Sequence, residues 1–441
     1  MRLMDASNAF AGKRITLMGL GLLGRGVGDA RYLASCGAEL IVTDLKSEAD
    51  LASSLEALKE FPNITYTLGR HELADFRNRD LVLMAQKAPA DSPYIQEAKA
   101  HGSHITMSTA LFAKLAGIPI VGVTGTRGKS TTTYMIAKVL EDAGKKVILG
   151  GNIRGVSTLA LLPDVTPDAI GVLELDSWQL QGFREESLSP NVGVFTTFYP
   201  DHMDYYQGDL DAYLKDKAEI FLHQKEGDTF VLGSQAKDIV LKNYPLPPVT
   251  PVVTDIRDVS GWSLKVPGTH NLENAACARC ATLSLGIEEE SIRRSLESFS
   301  AVPGRLELVR ELRGISIYND TNATTPEATI AALRALSPEG RNVVLIMGGS
   351  DKGLSMSSLI DEISLRAKRV IMLTGTGTNT VLPLLPDASV YDDLTAAVAE
   401  AVRYAKEGDS VLFSPAFASF GMFKNEYDRG DQFVAAVEAL T

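Results

Sequence analysis

Short β-branched runs alternate with helix-length amphipathic stretches along almost the whole chain. No feature constrains the fold more. Strands that succeed one another through a helix run parallel, and a parallel sheet needs helices on its faces. The pattern predicts an α/β chain built on mainly parallel sheets, without repeats or low-complexity tracts. At 441 residues, and roughly 150 residues per domain, about three domains are expected.

The first region, 1–113, reads as strand Arg14–Gly19, a helix after Gly24, then strands Glu39–Asp44 and Asp80–Met84. The second, 114–302, opens with strand Pro119–Thr124, a Gly-rich loop, helix Lys129–Asp142 and strand Lys146–Leu149. Apolar strands recur at Ile170–Leu175 and Val192–Phe198, and a Pro/Gly-rich stretch near Val302–Arg305 closes the region. The third, 303–441, carries strands Ile315–Asn319, Val343–Met347, Val370–Thr374 and Ser410–Ser414. Helices Thr325–Leu336 and Leu394–Tyr404 and one near the end complete it.

Composition narrows the function classes. Hydrophobic residues make up 45%, enough for several cores and too many for a disordered chain. Asp and Glu number 55 against 43 Lys and Arg, a net charge of −12, which argues against general nucleic-acid or membrane-surface binding. A local loop or metal can still bind phosphate. Three cysteines, Cys36, Cys277 and Cys280, make no disulfide framework, and without a second CxxC no structural zinc site is expected. The start, MRLMDASNAF, has no long apolar core, and ITLMGLGLLG is too short and Gly-rich to span a bilayer. A cytoplasmic protein with no membrane partner is expected.

Two glycine loops carry the chemistry. Gly125-Thr126-Arg127-Gly128-Lys129-Ser130-Thr131 lies between a predicted strand and a predicted helix. There, backbone N–H groups and the helix N-terminus can cradle phosphate, Lys129 can reach the β and γ phosphates, and the Ser130 hydroxyl can ligate Mg²⁺. The spacing departs from the Walker pattern, because Val123 stands five residues before Gly128 and the glycines fall at Gly122, Gly125 and Gly128. The bland alternative is a strand–turn–helix connection with a surface lysine. The other loop, Gly19-x-Gly21-x-x-Gly24, follows the first strand, and Asp44 ends the next strand twenty residues after Gly24. Alone it fits NAD, yet the geometry serves any diphosphate with a ribose. It could also be a packing turn. A dehydrogenase needs only one such loop.

Beyond these loops, Glu174 ends an apolar strand, where a Mg²⁺ ligand belongs. His202 lies in Pro200-Asp201-His202-Met203-Asp204 just past another strand, able to bind metal or orient substrate. Lys217 by itself is an ordinary charged helix face. Asn271 and Asn274, three apart, share one face of a helix. They could read a base edge or simply cap the helix.

TGTRGKSTT, GGNIRG, LELDSWQL, PDHMDYY, GTHNLENAACA, PGRLE, NDTNATTPEAT, MGGSDKG and SPAFASFGMFKNEYDRGDQF occur in this order over nearly the whole chain. Together they resemble the Mur ligase family, the ATP-dependent amide-forming enzymes of peptidoglycan precursor synthesis. The resemblance implies three domains: a Rossmann-like domain for a UDP-sugar, an ATP-binding domain, and a smaller α/β domain that closes over both. It implies that Gly21, Leu22 and Asp44 hold UDP, which replaces the NAD reading, and that Asn152 contacts the sugar nucleotide. Ser130 and Glu174 match ligands of one Mg²⁺. His202 and Lys217, fifteen residues apart as in the family, match ligands of a second, with Lys217 carbamylated. Asn271, Asn274, Arg305 and Asp320 match ATP contacts. Thr324, Lys352, Ser419 and Phe420 match positions around an incoming D-glutamate. The reaction implied is phosphorylation of the carboxylate of UDP-N-acetylmuramoyl-L-alanine, then attack by the glutamate amine, in a monomeric enzyme.

Four positions depart from the family pattern. Ala85-Gln86-Lys87 replaces a Pro-Gly turn, so Lys87 adds a charge that could face the diphosphate. Asn322 stands where a lysine of the amino-acid site is common. Asp176 stands where Ser is usual, and Glu426 where some members carry an aromatic. Competing readings are a Mur-type ligase for another amino acid, an NAD-binding oxidoreductase, and a non-catalytic nucleotide-binding protein.

Overall fold

The computed structural model describes residues 9–22, 24–89, 91–245, 247–338 and 340–440. The first eight residues, on which part of the leader expectation falls, lie outside the described residues. No helix among the described residues is long and apolar enough to cross a membrane.

Three separate sheets realise the alternation. The first has the order Ile64–Leu68, Glu39–Asp44, Arg14–Met18, Leu81–Leu83, His104–Thr106, all parallel. The second has the order Val252–Val253, Thr229–Leu232, Val192–Phe195, Ile120–Thr124, Ala169–Glu174, Lys146–Gly151, again all parallel. The third has the order Glu307–Leu312, Ile315–Asn319, Ser410–Phe413, Val343–Gly348, Ala367–Leu373, Ser389–Tyr391. Strands Ile120–Thr124, Ala169–Glu174 and Val343–Gly348 are buried at every position. Helices cover both faces of such strands, which is why they read as unbroken apolar runs.

The expected α/β class therefore holds, with one exception to parallel pairing. Glu307–Leu312 runs antiparallel to Ile315–Asn319. Only Arg313 and Gly314 join them, both at positive φ (54° and 76°). Two residues cannot make a parallel crossover, whereas a two-residue turn of this hand matches the twist of a hairpin. The strands that sequence did not reveal are edge or near-edge strands, several of two to four residues, too short to show a period.

The chain packs as two compact units, one holding everything up to Val259 with Glu273–Ser295, the other Ser260–Leu272 with Leu296 onward. The first two sheets belong to the former and the third to the latter. The boundary expected at 113 lies within helix Ser108–Leu115. Segment Ser260–Leu272 joins the second unit although it precedes 302.

Candidate active site

In the first unit the functional residues gather at the C-terminal edge of the second sheet, where ligands bind in open α/β sheets. Strand Ile120–Thr124 runs into the glycine loop, and helix Lys129–Asp142 leaves it. Gly128 precedes the helix at φ 85°. A Cβ there would overlap the Asn274 side chain, and one at Gly125 would overlap Thr196. The loop is thus closed on one side by Thr196, Thr197 and Asn274.

The expected strand Val192–Phe198 stops at Phe195 because its last residues turn to hold this loop. Thr196 Oγ1 donates to the Arg127 carbonyl at 2.6 Å. Arg127 N–H donates to Thr197 Oγ1 at 2.9 Å, and Thr126 N–H to the Thr197 carbonyl at 2.7 Å. Ser130, buried, and Thr131 fall in the first helical turn. A hollow beside the loop is lined by Thr196, Thr197, Ser234, Gln235, Glu273, Asn274 and Cys277. Of these, sequence reading had found only Asn274. Cys277 and Cys280 are buried, and burial raises both thiols, Cys277 to about 12.

Two lysines converge on one carbonyl. Lys129 Nζ donates to the Gly125 oxygen at 3.1 Å and Lys217 Nζ to the same oxygen at 2.9 Å. Lys217, 1% exposed, also reaches Thr124 Oγ1 at 3.4 Å and lies over the Tyr213 ring. Burial, then the charge of Lys129, holds its ammonium well below the usual lysine range. Its neighbour Asp216 fixes the helix Leu210–Ala218 that aims it. Asp216 accepts from Tyr206 Oη at 2.9 Å, from Gln181 Nε2 at 2.6 Å and from Arg184. The sequence reading missed this role, because one acid beside one lysine looks like a solvated helix face.

Glu174, 4% exposed, ends strand Ala169–Glu174. The glycine turn carrying Asn152 wraps it: Asn152 N–H donates to the Glu174 carbonyl at 2.7 Å, and Asn152 Nδ2 to Glu174 Oε1 at 3.4 Å. Gly151 at φ 87° allows the approach, since a Cβ would strike the Glu174 carbonyl. Asp176 caps the next helix, accepting from Gln179 N–H at 2.8 Å, while Gln179 returns a bond to the Asp176 N–H. This capping box accounts for the unusual Asp. His202 sits at φ 56°, packed against Trp178 with ring centres 4.5 Å apart and planes inclined by 50°. Burial depresses its pKa, Asp201 opposes that, and Lys129, Lys217 and Lys87 depress it further.

Among the described residues no three His, Cys, Asp or Glu side chains form a ready-made metal cage. That suits Mg²⁺, which takes one or two carboxylates and completes its shell with water and substrate phosphates. A hydroxyl at Ser130 and a buried carboxylate at Glu174 fit such an ion.

At the first sheet, Asp44 Oδ2 accepts from the Leu20 and Gly21 N–H groups at 2.8 and 2.9 Å, and Oδ1 from Lys46 N–H. Asp44 therefore shapes the first glycine loop. Leu22 beside it is 56% exposed.

The remaining predicted residues lie in the second unit, and of these Arg305, Lys352 and Phe420 are exposed. Asp320, buried, accepts from Leu306 N–H at 3.1 Å and Ser414 Oγ at 2.8 Å. Desolvation pushes its carboxyl up to about 7, against the pull of Ser414. Lys352 Nζ donates to Thr324 Oγ1 at 3.0 Å. Ser350 and Ala418 pair through both backbone N–H groups, which places the Lys352 loop beside buried Ser419. Phe420 is 66% exposed, and its carbonyl accepts from Ser350 Oγ. Asn271 Nδ2 donates to the Pro267 carbonyl at 2.7 Å, tying the first turn of its helix to the preceding Pro-Gly turn, whereas Asn274 closes the phosphate loop of the first unit. Asn322 donates to the Pro303 carbonyl.

Fully buried Arg429 was also missed. It donates to Thr321 Oγ1 (3.1 Å), the Thr321 carbonyl (2.8 Å) and the Phe417 carbonyl (3.2 Å). Burial lowers its pKa to about 10. It pins the segment leading to Thr324 to the one leading to Ser419.

Family models match twice, the Mur ligase middle domain at residues 123–255 and the Mur ligase glutamate ligase domain at 304–417. The chain is 39% identical over 469 residues to the UDP-N-acetylmuramoylalanine–D-glutamate ligase of Roseiflexus sp. (strain RS-1), covering 98% of this chain and 99% of the relative. It is 34% identical to the enzyme of that name from Borreliella afzelii, covering 100% of both. Among solved structures, the UDP-N-acetylmuramate-alanine ligase MurC of Thermotoga maritima is similar in fold, at TM-score 0.62 and 21% identity, covering 97% of this chain and 99% of that one. The MurF ligase of the same organism, solved with ADP, gives TM-score 0.56 at 20% identity, covering 83% and 96%. Two matching domain models and relatives of this identity across the full length place one conclusion beyond the fold alone: the chain belongs to the Mur ligase family.

Proposed function

We propose that the chain is an ATP-dependent ligase that adds D-glutamate to UDP-N-acetylmuramoyl-L-alanine. The observation that carries the reading is the convergence of Lys129 and Lys217 on the Gly125 carbonyl. Two lysine amines held together at a phosphate loop, one beside the phosphates and one buried below it, suit a reaction that gathers anionic oxygens. The full-length likeness to D-glutamate ligases supports the substrate.

A carboxylate is a poor acyl donor because its leaving group is oxide. Transfer of the ATP γ-phosphoryl group to the alanyl carboxylate gives an acyl phosphate, and the neutral glutamate amine then displaces phosphate through a tetrahedral intermediate. Lys129 leaves its loop carbonyls for the β and γ phosphates. Backbone N–H groups of Gly128, Lys129 and Ser130 hold the same phosphates at the helix N-terminus. Mg²⁺, when bound by Ser130 and Glu174, would supply charge neutralisation in the phosphoryl step. Asn152 fixes the Glu174 carboxylate. In the first region, 1–113, Gly21, Leu22 and Asp44 hold UDP. In 114–302 the hollow by Asn274 takes the adenine. In 303–441 Thr324, Lys352, Ser419 and Phe420 receive glutamate, and Arg305 and Asp320, with Asn271 of 114–302, contact ATP. Lys352 supplies the cation that Asn322 cannot.

Carbamylation of Lys217 belongs to the same reading. Burial, then the charge of Lys129, favours the neutral amine, and a neutral amine adds to CO₂ to give a carbamate with release of one proton. An oxygen anion then stands where the amine stood, beside His202, and would serve as a second Mg²⁺ ligand. A monomer in the cytoplasm is the expected form.

The test is phosphate release with ATP, Mg²⁺ and UDP-N-acetylmuramoyl-L-alanine, scanning single amino acids and weighing the products. Release and a product mass seen only with D-glutamate are expected. Product with another amino acid, or none with any, overturns the assignment.

A further inference from the structure

Lys87 lies on the loop after strand Leu81–Leu83, and its loop and its charge belong to different places within the first unit. The loop is fastened to the first glycine loop: a Cβ on Gly19 would come within 3.2 Å of the Ala85 side chain, and Arg25 donates to Gln86 Oε1 at 3.3 Å. The side chain reaches to helix Ser177–Glu185, which follows strand Ala169–Glu174 of the second sheet. Its Nζ stands 4.7 Å from the centre of the Trp178 ring, the ring that packs against His202. Among the described residues no carboxylate makes an ion pair with Lys87, in a chain that carries an excess of acids. An aromatic face is a weak resting place for an exposed ammonium.

We propose that Lys87 binds the carboxylate of the sugar-nucleotide acceptor, the group that receives the phosphoryl transfer. This rests on the functional reading above. Such a substrate must join two places, a diphosphate at the first glycine loop and a carboxylate at the end marked by Lys129 and His202. Lys87 is rooted beside the first and presents its charge at the second. The position of Nζ on the Trp178–His202 pair favours the carboxylate over the diphosphate, the other anion of the same molecule. An ammonium there also offsets repulsion between the incoming carboxylate and Glu174, Asp176 and Asp201.

Calorimetric titration separates the two anions. The ligands are UDP, UDP-N-acetylmuramoyl-L-alanine and the analogue whose alanyl carboxylate is a neutral carboxamide, each against wild type, Lys87→Met and Lys87→Arg. Wild type is expected to bind the acid about ten- to hundredfold more tightly than the amide, the ordinary worth of a hydrogen bond between charged groups. Lys87→Met should remove most of that gap and leave UDP affinity unchanged, while Lys87→Arg retains it. The exposed position predicts an unchanged thermal midpoint in both variants. An undiminished acid–amide gap in Lys87→Met overturns the proposal. So does an equal loss of affinity for UDP, which would make Lys87 a diphosphate contact. Wild type that binds UDP but not the acid would overturn the functional reading itself.

Discussion

Replacing Lys217 with methionine separates a structural lysine from a chemical one. The side chain keeps its length and loses its charge. Two hydrogen bonds vanish, to the Gly125 carbonyl at 2.9 Å and to Thr124 Oγ1 at 3.4 Å. The first is a good bond, worth about 1 kcal/mol net, and the second is marginal. Against this stands the desolvation of a fully buried amine, which lowers its pKa in the folded state. A base with a depressed folded pKa binds fewer protons folded than unfolded. Its burial therefore opposes folding increasingly as pH falls below the unfolded value of about 10.4, down to the folded pKa. Methionine removes that burden, so near neutral pH Lys217→Met should be no less stable than wild type, or lower in midpoint by no more than about 2–4 °C. Turnover should fall by about 10² to 10³ or more, as when a charge-stabilising group is removed. Calorimetric melting and phosphate release on the same samples check both halves. A large loss of stability with activity retained would show that Lys217 merely braces the loop. Partial rescue of Lys217→Ala by a small carboxylic acid would support the carbamate, since the acid supplies the missing oxygen anion.

Lys129→Ala should leave the fold intact, since it loses only two bonds to carbonyls of its own loop, at 3.1 and 3.3 Å, yet lower phosphate release by about 10² to 10³. A normal rate would refute the phosphate-loop assignment. Asp320 has its folded pKa raised to about 7, so the folded chain holds a proton that the unfolded chain releases above about pH 4. Its contribution to stability is fully present below that value and is lost as pH rises to about 7. Asp320→Asn should flatten that part of the melting-versus-pH curve, and an unchanged slope relative to wild type would show that the carboxyl is ionised in the fold.

The sequence alone determined the sheets' class and the loops at their edges. Central strands such as Ile120–Thr124 and Val343–Gly348 are buried on both faces, so their apolar runs are local records of burial. The glycines of the phosphate loop are legible for a similar reason: Gly125 and Gly128 stand where a Cβ would overlap Thr196 or Asn274. Resemblance supplied Lys217, which spacing alone left as a charged helix face.

Only the tertiary structure decided what the charged residues do. Lys217 is a buried amine because Tyr206, Gln181 and Arg184, from elements apart in sequence, hold Asp216 and so aim the helix. Arg429 is a buried guanidinium because Thr321 and Phe417 come together around it. Asp176 became a helix cap, and Asp44 a brace for the first glycine loop. Lys87 came to rest on Trp178, 91 positions away in sequence. Patterning records which face of an element is buried, since burial acts on each residue type locally. A charge takes its meaning from the dielectric and the partners around it, and those are assembled only when distant segments pack.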